Sequence, residues 1–447
     1  MKLRYNMQHI ALISEKVTIT YSQLAKLQRD YIRNIAPRSL VMIICSNTVD
    51  SVIFYVACIA NKVVPILIDK DIKSDRLNEL IKLFEPNYLY MPIDRKDIEM
   101  FACVRKYNDY ALYRSNVYIK HRINDELALL LSTSGSTGSS KFVRISYENL
   151  ESNIDSIIEY LGLTADEVAV TNLPMSYTYG LSVINTHLYV GATIVVTENK
   201  IFESKFWELV YRHNVTSISG VPFTYEILKR IGLSKIKNSH IRTLTQAGGR
   251  LSADLQRYFA VFAQENNINL YIMYGQTEAT SRISYLSPEY ALSKIGSVGI
   301  AVPTGKIIIE NDEIIYMGKN VTMGYAEGIQ DLEKMDEFKG VLHTKDLGYM
   351  DEDGFLYITG RIDKVTKLFG KRIGLDEIEN LLRGIFNEEF FCKVTDDCLC
   401  VYSEKRLEIQ RIKKEISKYI GVSSKNIKYG NVSFLRNERG KVIGIYE

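Results

Sequence analysis

The stretch Leu127-Ala128-Leu129-Leu130-Leu131-Ser132-Thr133-Ser134-Gly135-Ser136-Thr137-Gly138-Ser139-Ser140-Lys141 runs from apolar to small to basic. Its first five residues read as a buried strand. The strand empties into nine small residues and then a lysine. Gly135 and Gly138 let the backbone turn tightly and come close to a ligand. Thr133, Ser134, Ser136 and Thr137 offer short hydroxyl donors, and Lys141 adds a positive charge. This is the composition of a polyphosphate cradle. It is not a Walker A loop, because GxxxxGK[ST] needs glycine where Ser140 stands and a hydroxyl where Phe142 stands. A flexible linker shares the composition, but linkers are not usually launched from a strand and closed by a lysine.

Upstream, Thr20-Tyr21-Ser22-Gln23 has the form of a capping box and predicts a helix through about Arg33. Strands are expected at 40–45, 63–68 and 88–91, with helices at 49–60 and 75–84. Strands alternating with helices at this spacing predict a parallel α/β layer. The stretch between 92 and 126 is less regular. Downstream, Ser146 caps a helix with Leu150, Ile154, Ile157, Ile158 and Leu161 on one face. A second α/β unit follows, with strands at 168–173, 192–196, 217–221, 241–245 and 270–273. From about Gly296 the pattern becomes short β-segments, with Asp351-Glu352-Asp353-Gly354 as a hairpin turn. From Lys364 it becomes a small α+β tail. Ligands of such sheets gather at the carboxyl ends of the strands, where most of the motifs fall.

A chain of 447 residues is too long for one compact core, so two or three domains are expected. Its composition, 46% hydrophobic and 24% charged, is that of an ordinary globular protein, and a net charge of +3 gives no case for nucleic acid. The six cysteines lack CxxC spacing; Cys398 and Cys400 share a strand face, and packing suits them better than metal. The N-terminus has no signal-peptide core, and the longest apolar run is too short to span a bilayer. A cytoplasmic protein without membrane insertion is the expectation.

Six further segments carry chemistry-bearing residues. They are Leu173-Pro174-Met175-Ser176-Tyr177-Thr178-Tyr179-Gly180-Leu181, Ala247-Gly248-Gly249-Arg250-Leu251, Tyr274-Gly275-Gln276-Thr277-Glu278, His343-Thr344-Lys345-Asp346-Leu347-Gly348, Tyr357 to Ile373 with Glu377-Ile378-Glu379, and Leu435 to Val442. Singly, most have plain readings. Two tyrosines beside a turn pack, paired glycines cap a helix, and a lysine near a terminus is solvated. The third is sharper: a ring can stack on a base, a hydroxyl can meet a phosphate, and a carboxylate can hold Mg²⁺.

In order and separation, these segments resemble the signatures of the adenylate-forming superfamily, which includes acyl- and aryl-CoA synthetases, stand-alone adenylation domains and luciferase. The cradle resembles TSGTTGxPKG, with Ser140 for proline and Phe142 for glycine. Gly360 to Glu379 resembles GRxDxxIKxxGxxIxxxEIE, with Thr366 for the first isoleucine, and Leu435 to Lys441 resembles PRxxxGK. The resemblance implies a large N-terminal adenylate-forming domain over 1–362, made of parallel α/β layers with a small β-rich subdomain. A small mobile α+β lid would occupy 363–447.

The resemblance also implies roles. Thr133, Ser134, Gly135, Ser136, Thr137, Gly138 and Lys141 would hold the phosphates of ATP, with Lys141 and Thr137 also acting in catalysis. Gly248, Gly249, Tyr274, Gly275 and Thr277 would hold adenine and the α-phosphate. Asp346 would bind both ribose hydroxyls, and Arg361 the ribose or phosphate. Glu278, with Thr137, would hold Mg²⁺, and Lys441 would bridge carboxylate and α-phosphate. Tyr177, Tyr179, Gly180, Val221, Gly248 and Thr280 would line the acid pocket. Asp363 would be the hinge, and Phe369, Gly370 and Lys371 would line the thiol tunnel.

The activity implied is formation of acyl-AMP and pyrophosphate, then transfer to the thiol of CoA or of a carrier protein's phosphopantetheine. No carboxylate lies between Leu173 and Val190, which speaks against an α-amino acid and for acyl or aryl acids with uncharged tails. An amino-acid-activating ligase loading an acyl or peptidyl carrier protein, and an adenylate-binding module without catalysis, remain alternatives.

Overall fold

The computed structural model describes residues 7–95, 100–117, 119–133, 141–368, 371–395, 398–421, 423–436 and 442–446, and of residues 363, 365, 367, 371, 372 and 443 only the backbone. The chain packs as two compact units. The larger holds most of 1–342, and the smaller holds 296–298, 307–315 and 343–447.

Among the described residues, the larger unit contains a nine-stranded and an eight-stranded sheet. The centre of the first is parallel: 10–13, 193–195, 168–170, 217–220, 243–246 and 269–274 lie side by side in that order. In the second, Leu40–Cys45 pairs in parallel with Val64–Asp69 and Tyr88–Pro92, and Val64–Asp69 pairs in parallel with Leu127–Ser132. The two sheets share one core. Residues of both, such as Ile194, Val41 and Leu129, cluster with helix Val49–Ala60. That helix is apolar nearly all round and buried from Asp50 to Ile59, as a helix between two layers must be.

The expected α/β class holds. The Thr20–Gln23 capping box forms and opens a helix over Tyr21–Tyr31, and Ser146 caps Tyr147–Leu161 with Asn149. The stretch without a regular reading is an antiparallel hairpin, Phe101–Lys106 with Tyr110–Ser115. Its outer strand is half solvated, so it shows no apolar run. A second strand missed in the sequence is Phe142–Ser146, directly after Lys141 and antiparallel to Leu127–Ser132. Arg144 masks it. This arginine is fully buried, and its donors meet the carbonyls of Tyr325, Lys334, Met323 and Met335 and the Glu337 carboxylate. A charged residue is affordable there because every side of the guanidinium is answered.

In the smaller unit, strand Val341–Met350 turns at Asp351–Gly354 into Leu356–Arg361, as the hairpin signal predicted. Further on, helices Leu375–Phe386 and Ile409–Ile420 pack on a sheet of Phe391–Thr395, Cys398–Ser403 and Ile427–Asn431 around Ile378, Leu382, Leu399 and Ile412. No helix among the described residues is long and apolar enough to cross a membrane.

Candidate active site

The cradle connects the two strands of a hairpin. The Thr133 N–H donates to the Lys141 carbonyl at 3.0 Å, closing the loop at its base. Ser134, Gly135, Ser136, Thr137 and Gly138 lie outside the described residues. The Lys141 ammonium is 2.7 Å from Glu327 and 5.9 Å from the centre of the Tyr325 ring. Both members of that ion pair are about half exposed, so the pair is weak and a phosphate can displace it.

Tyr325 and Glu327 lie on the chain beside the cradle because Tyr325 pairs with Val143 across the sheet edge. The Tyr325 hydroxyl donates to Glu278 Oε1 at 3.0 Å. Lys141, Tyr325 and Glu278 therefore meet at the foot of the hairpin. Tyr325 was not singled out in the sequence, because an aromatic in a two-residue strand carries no local signal.

Glu278 sits on a short 3₁₀ turn, Thr277–Ala279, after strand Asn269–Tyr274. Tyr274 and Thr277 are buried, and Glu278 is half-buried. A Cβ on Gly275 would strike the Ser281 carbonyl, so only glycine lets this turn fold back on itself. Thr280 is locked by a 2.7 Å bond to the Asn320 carbonyl. Among the described residues no group of three acidic, His or Cys side chains could form a metal cage. One carboxylate completed by substrate phosphates is the arrangement Mg²⁺ accepts, and Glu278 fits it.

The residues expected to line an acid pocket converge in part. Gly248 has φ +79°, and a Cβ there would strike the Tyr177 hydroxyl and lie 3.2 Å from Val221. Tyr177 and Tyr179 meet edge to face at 6.3 Å. The Tyr179 hydroxyl is tied to Thr245 at 2.7 Å and 2.9 Å. Gly180 lets its helix approach the Pro174 carbonyl, and Gly249 lies against Pro222. The 173–190 segment lacks a carboxylate of its own, yet Asp69 reaches it and accepts from Ser176 at 2.8 Å.

The smaller unit holds a second group. Asp346 and Arg361 are opposite each other in the hairpin register, Arg361 Nε 3.4 Å from Asp346 Oδ1. Asp346 is buried, and its N–H donates to Thr344. Lys345 stands where the resembling motif has glycine, and it keeps the left-handed backbone a glycine would take, φ +59°. Its N–H donates to Glu313 at 3.0 Å. His343 is exposed, 3.4 Å from Glu313. Asp363 lies in the 3₁₀ turn Ile362–Lys364, and Lys371 opens a strand paired with Val365–Leu368. Phe369, Gly370 and Lys441 lie outside the described residues.

The family model described as AMP-binding enzyme matches residues 2–326. The chain belongs to that family. Among curated relatives of this AMP-binding enzyme, a 2-succinylbenzoate–CoA ligase of Oceanobacillus iheyensis is 26% identical over 388 residues, 82% of this chain and 78% of that one. One of Bacillus cereus is 30% identical over 302 residues, 65% of this chain and 60% of that protein. The O-succinylbenzoate coenzyme A synthetase of Bacillus subtilis has the same fold. Its complex with AMP superposes with TM-score 0.78 at 22% identity, covering 98% of this chain and 95% of that one. Its complex with ATP and magnesium ion gives 0.76 at 21%, covering 98% and 96%.

Proposed function

We propose that this AMP-binding enzyme is an acid–thiol ligase that activates a carboxylic acid with ATP and passes the acyl group to coenzyme A. In the first half-reaction a carboxylate oxygen attacks the α-phosphorus in line, and the bond to pyrophosphate breaks. In the second, a thiolate attacks the acyl carbonyl and AMP leaves. The protein's work in the first is to position the reactants and neutralise charge. The convergence of Glu278, Tyr325 and Lys141 at the foot of the cradle is the observation that carries this reading. It supplies one carboxylate for a phosphate-bound Mg²⁺, one donor that orients that carboxylate, and one cation for the phosphates.

Thr133 and the loop to Lys141 would cradle the phosphates, and Tyr274, Gly248 and Gly249 the adenine. Tyr177 and Tyr179 would flank the acid. Asp346 would hold the ribose hydroxyls, and Lys441 would bridge carboxylate and α-phosphate. Bound Mg²⁺ would withdraw charge from the phosphate oxygens. The large domain would end at Ile362, with Asp363 as the hinge of the lid. The names of the relatives support coenzyme A over a carrier protein as acceptor, and 2-succinylbenzoate as the first acid to try. Six cysteines outside any disulfide suit the cytoplasm.

The test is ATP–pyrophosphate exchange across a panel of carboxylic acids that includes 2-succinylbenzoate, followed by thioester formation with coenzyme A. Exchange with at least one acid, abolished in Glu278→Gln, is expected. A folded protein that binds ATP and exchanges pyrophosphate with no acid would leave the non-catalytic binding module as the reading.

A further inference from the structure

Two arginines in the larger unit are almost wholly removed from water, Arg144 at 0% exposure and Arg282 at 3%. Arg144 is answered by four carbonyls and the Glu337 carboxylate at 2.6 Å. Arg282 is not answered in this way. Nη1 donates to the Ser281 carbonyl at 3.2 Å, and Nη2 to the Ser182 hydroxyl at 3.3 Å. The guanidinium lies 4.2 Å over the Tyr179 ring and also meets the Tyr160 hydroxyl. Nε has no acceptor, and among the described residues Arg282 forms no ion pair.

A buried cation without an anion is costly, and an aromatic face offsets only part of that cost. The chain also strains its backbone to hold this one. Thr280 and Ser281 have φ +51° and +119°, which side-chain-bearing residues rarely adopt. Asn320 ties the turn down from both sides, donating to the carbonyls of Ala279 and Arg282. The turn that carries Glu278 thus turns Arg282 inward onto Tyr179, one of the two rings assigned to the acid.

We propose that Arg282 is the specificity residue of the acid pocket, receiving a second carboxylate on the substrate while the first is adenylated. The substrate is then a dicarboxylic acid, and its second carboxylate supplies the counter-charge that the fold leaves out. This rests on the ligase reading, and it replaces the uncharged tail expected from the 173–190 segment. The charged residue belongs to a different part of the chain, beyond Glu278. The guanidinium is held over the Tyr179 ring, and its Nε, which has no acceptor, is the donor left for a carboxylate, with one Nη completing the bidentate pair.

The experiment pairs each dicarboxylic acid with the same acid lacking the distal carboxyl, such as 2-succinylbenzoate with 4-oxo-4-phenylbutanoate. The readout is kcat/KM of pyrophosphate exchange. Wild type is expected to prefer the dicarboxylate by about 100-fold or more. Arg282→Gln should collapse the preference by losing the dicarboxylate alone, and Arg282→Lys should restore part of it. Equal loss on both acids, or a wild type that prefers the monocarboxylate, overturns the proposal while leaving the ligase reading intact.

Exchange with no acid would sink the ligase reading. Arg282 would then be judged by thermal shift, where 2-succinylbenzoate must raise the Tm of wild type and not of Arg282→Gln. In the ligand-free protein, Arg282→Met should leave Tm unchanged or raise it. A fall of several degrees would make the arginine structural.

Discussion

The Tyr325 hydroxyl donates to Glu278 Oε1 at 3.0 Å across 47 residues of chain. The strand pairing of Tyr325 with Val143 brings Lys141 to the same place. Phenol and carboxylate are thereby held together, with the cation beside the phenol ring, before any substrate arrives.

Tyr325→Phe removes that one hydrogen bond and little volume. A hydrogen bond to a charged group contributes about 1.5–3 kcal/mol. The carboxylate then loses its orientation, and kcat/KM for pyrophosphate exchange should fall by about 10- to 100-fold with a higher Mg²⁺ requirement. Glu278→Gln should be worse by at least another tenfold at unchanged fold. A Mg²⁺ titration of both variants checks the order; equal Mg²⁺ dependence in wild type and Tyr325→Phe would disconnect the phenol from the metal.

Gly248→Ala meets two obstacles. Its φ of +79° is costly for alanine, by about 1 kcal/mol, and the new methyl drives into the Tyr177 hydroxyl. Denaturant unfolding should register the first, and a raised KM for the acid the second. Adding Tyr177→Phe removes the obstructing oxygen and should recover part of the loss, a coupling that a double-mutant cycle reads directly. Strict additivity would separate the two residues.

Lys441 and Gly370 lie outside the described residues, and their roles rest on the resemblance of their motifs. Lys441→Ala should abolish acyl-AMP formation, since no other matched residue is assigned to bridge carboxylate and α-phosphate. Given synthetic acyl-AMP, the same variant should still form the thioester. Gly370→Leu should do the reverse and let adenylate accumulate. Separate assays of the two half-reactions decide it; loss of both in Lys441→Ala would end the idea of an alternating lid.

Glu379 gives a pH signature. Burial, opposed by the nearby Lys364 ammonium 3.9 Å away and by the Cys392 N–H at 2.7 Å, raises its carboxyl from 4.5 to about 7. Asp376 raises it further and Arg383 lowers it. With the folded value above the unfolded one, the native state binds the extra proton between pH 4.5 and 7. Its contribution is full below pH 4.5, falls as pH rises, and is gone above 7; the shift corresponds to about 3 kcal/mol. Glu379→Gln should therefore flatten this slope and stabilise the smaller unit at pH 8. Urea unfolding of wild type and variant at pH 5, 6.5 and 8 measures it, and parallel pH profiles would refute the assignment.

Local pattern was enough for much of this protein. Strands 40–45 and 306–310 and helix 49–60 fall within a residue or two of their apolar runs, because burial repeats with the period of the element. Caps at Thr20 and Ser146 are legible because a hydroxyl answers donors only three residues away. The order of the motifs from Thr133 to Lys441 was enough to name the family, since short loops that hold a nucleotide need particular residues at fixed offsets.

Tertiary structure decided what depends on residues far apart in the chain. Strand 142–146 hides behind Arg144, whose partners lie some 180 to 190 residues away. Tyr325 reaches Glu278 only because a two-residue strand joins a sheet edge, and such a strand has no periodicity to read. Arg282 looks like any polar residue ahead of a strand until its turn folds it against Tyr179 and leaves it without an ion pair among the described residues. Sequence specifies which side chains can do chemistry; desolvation and pairing across the sheets determine which of them are under strain to do it.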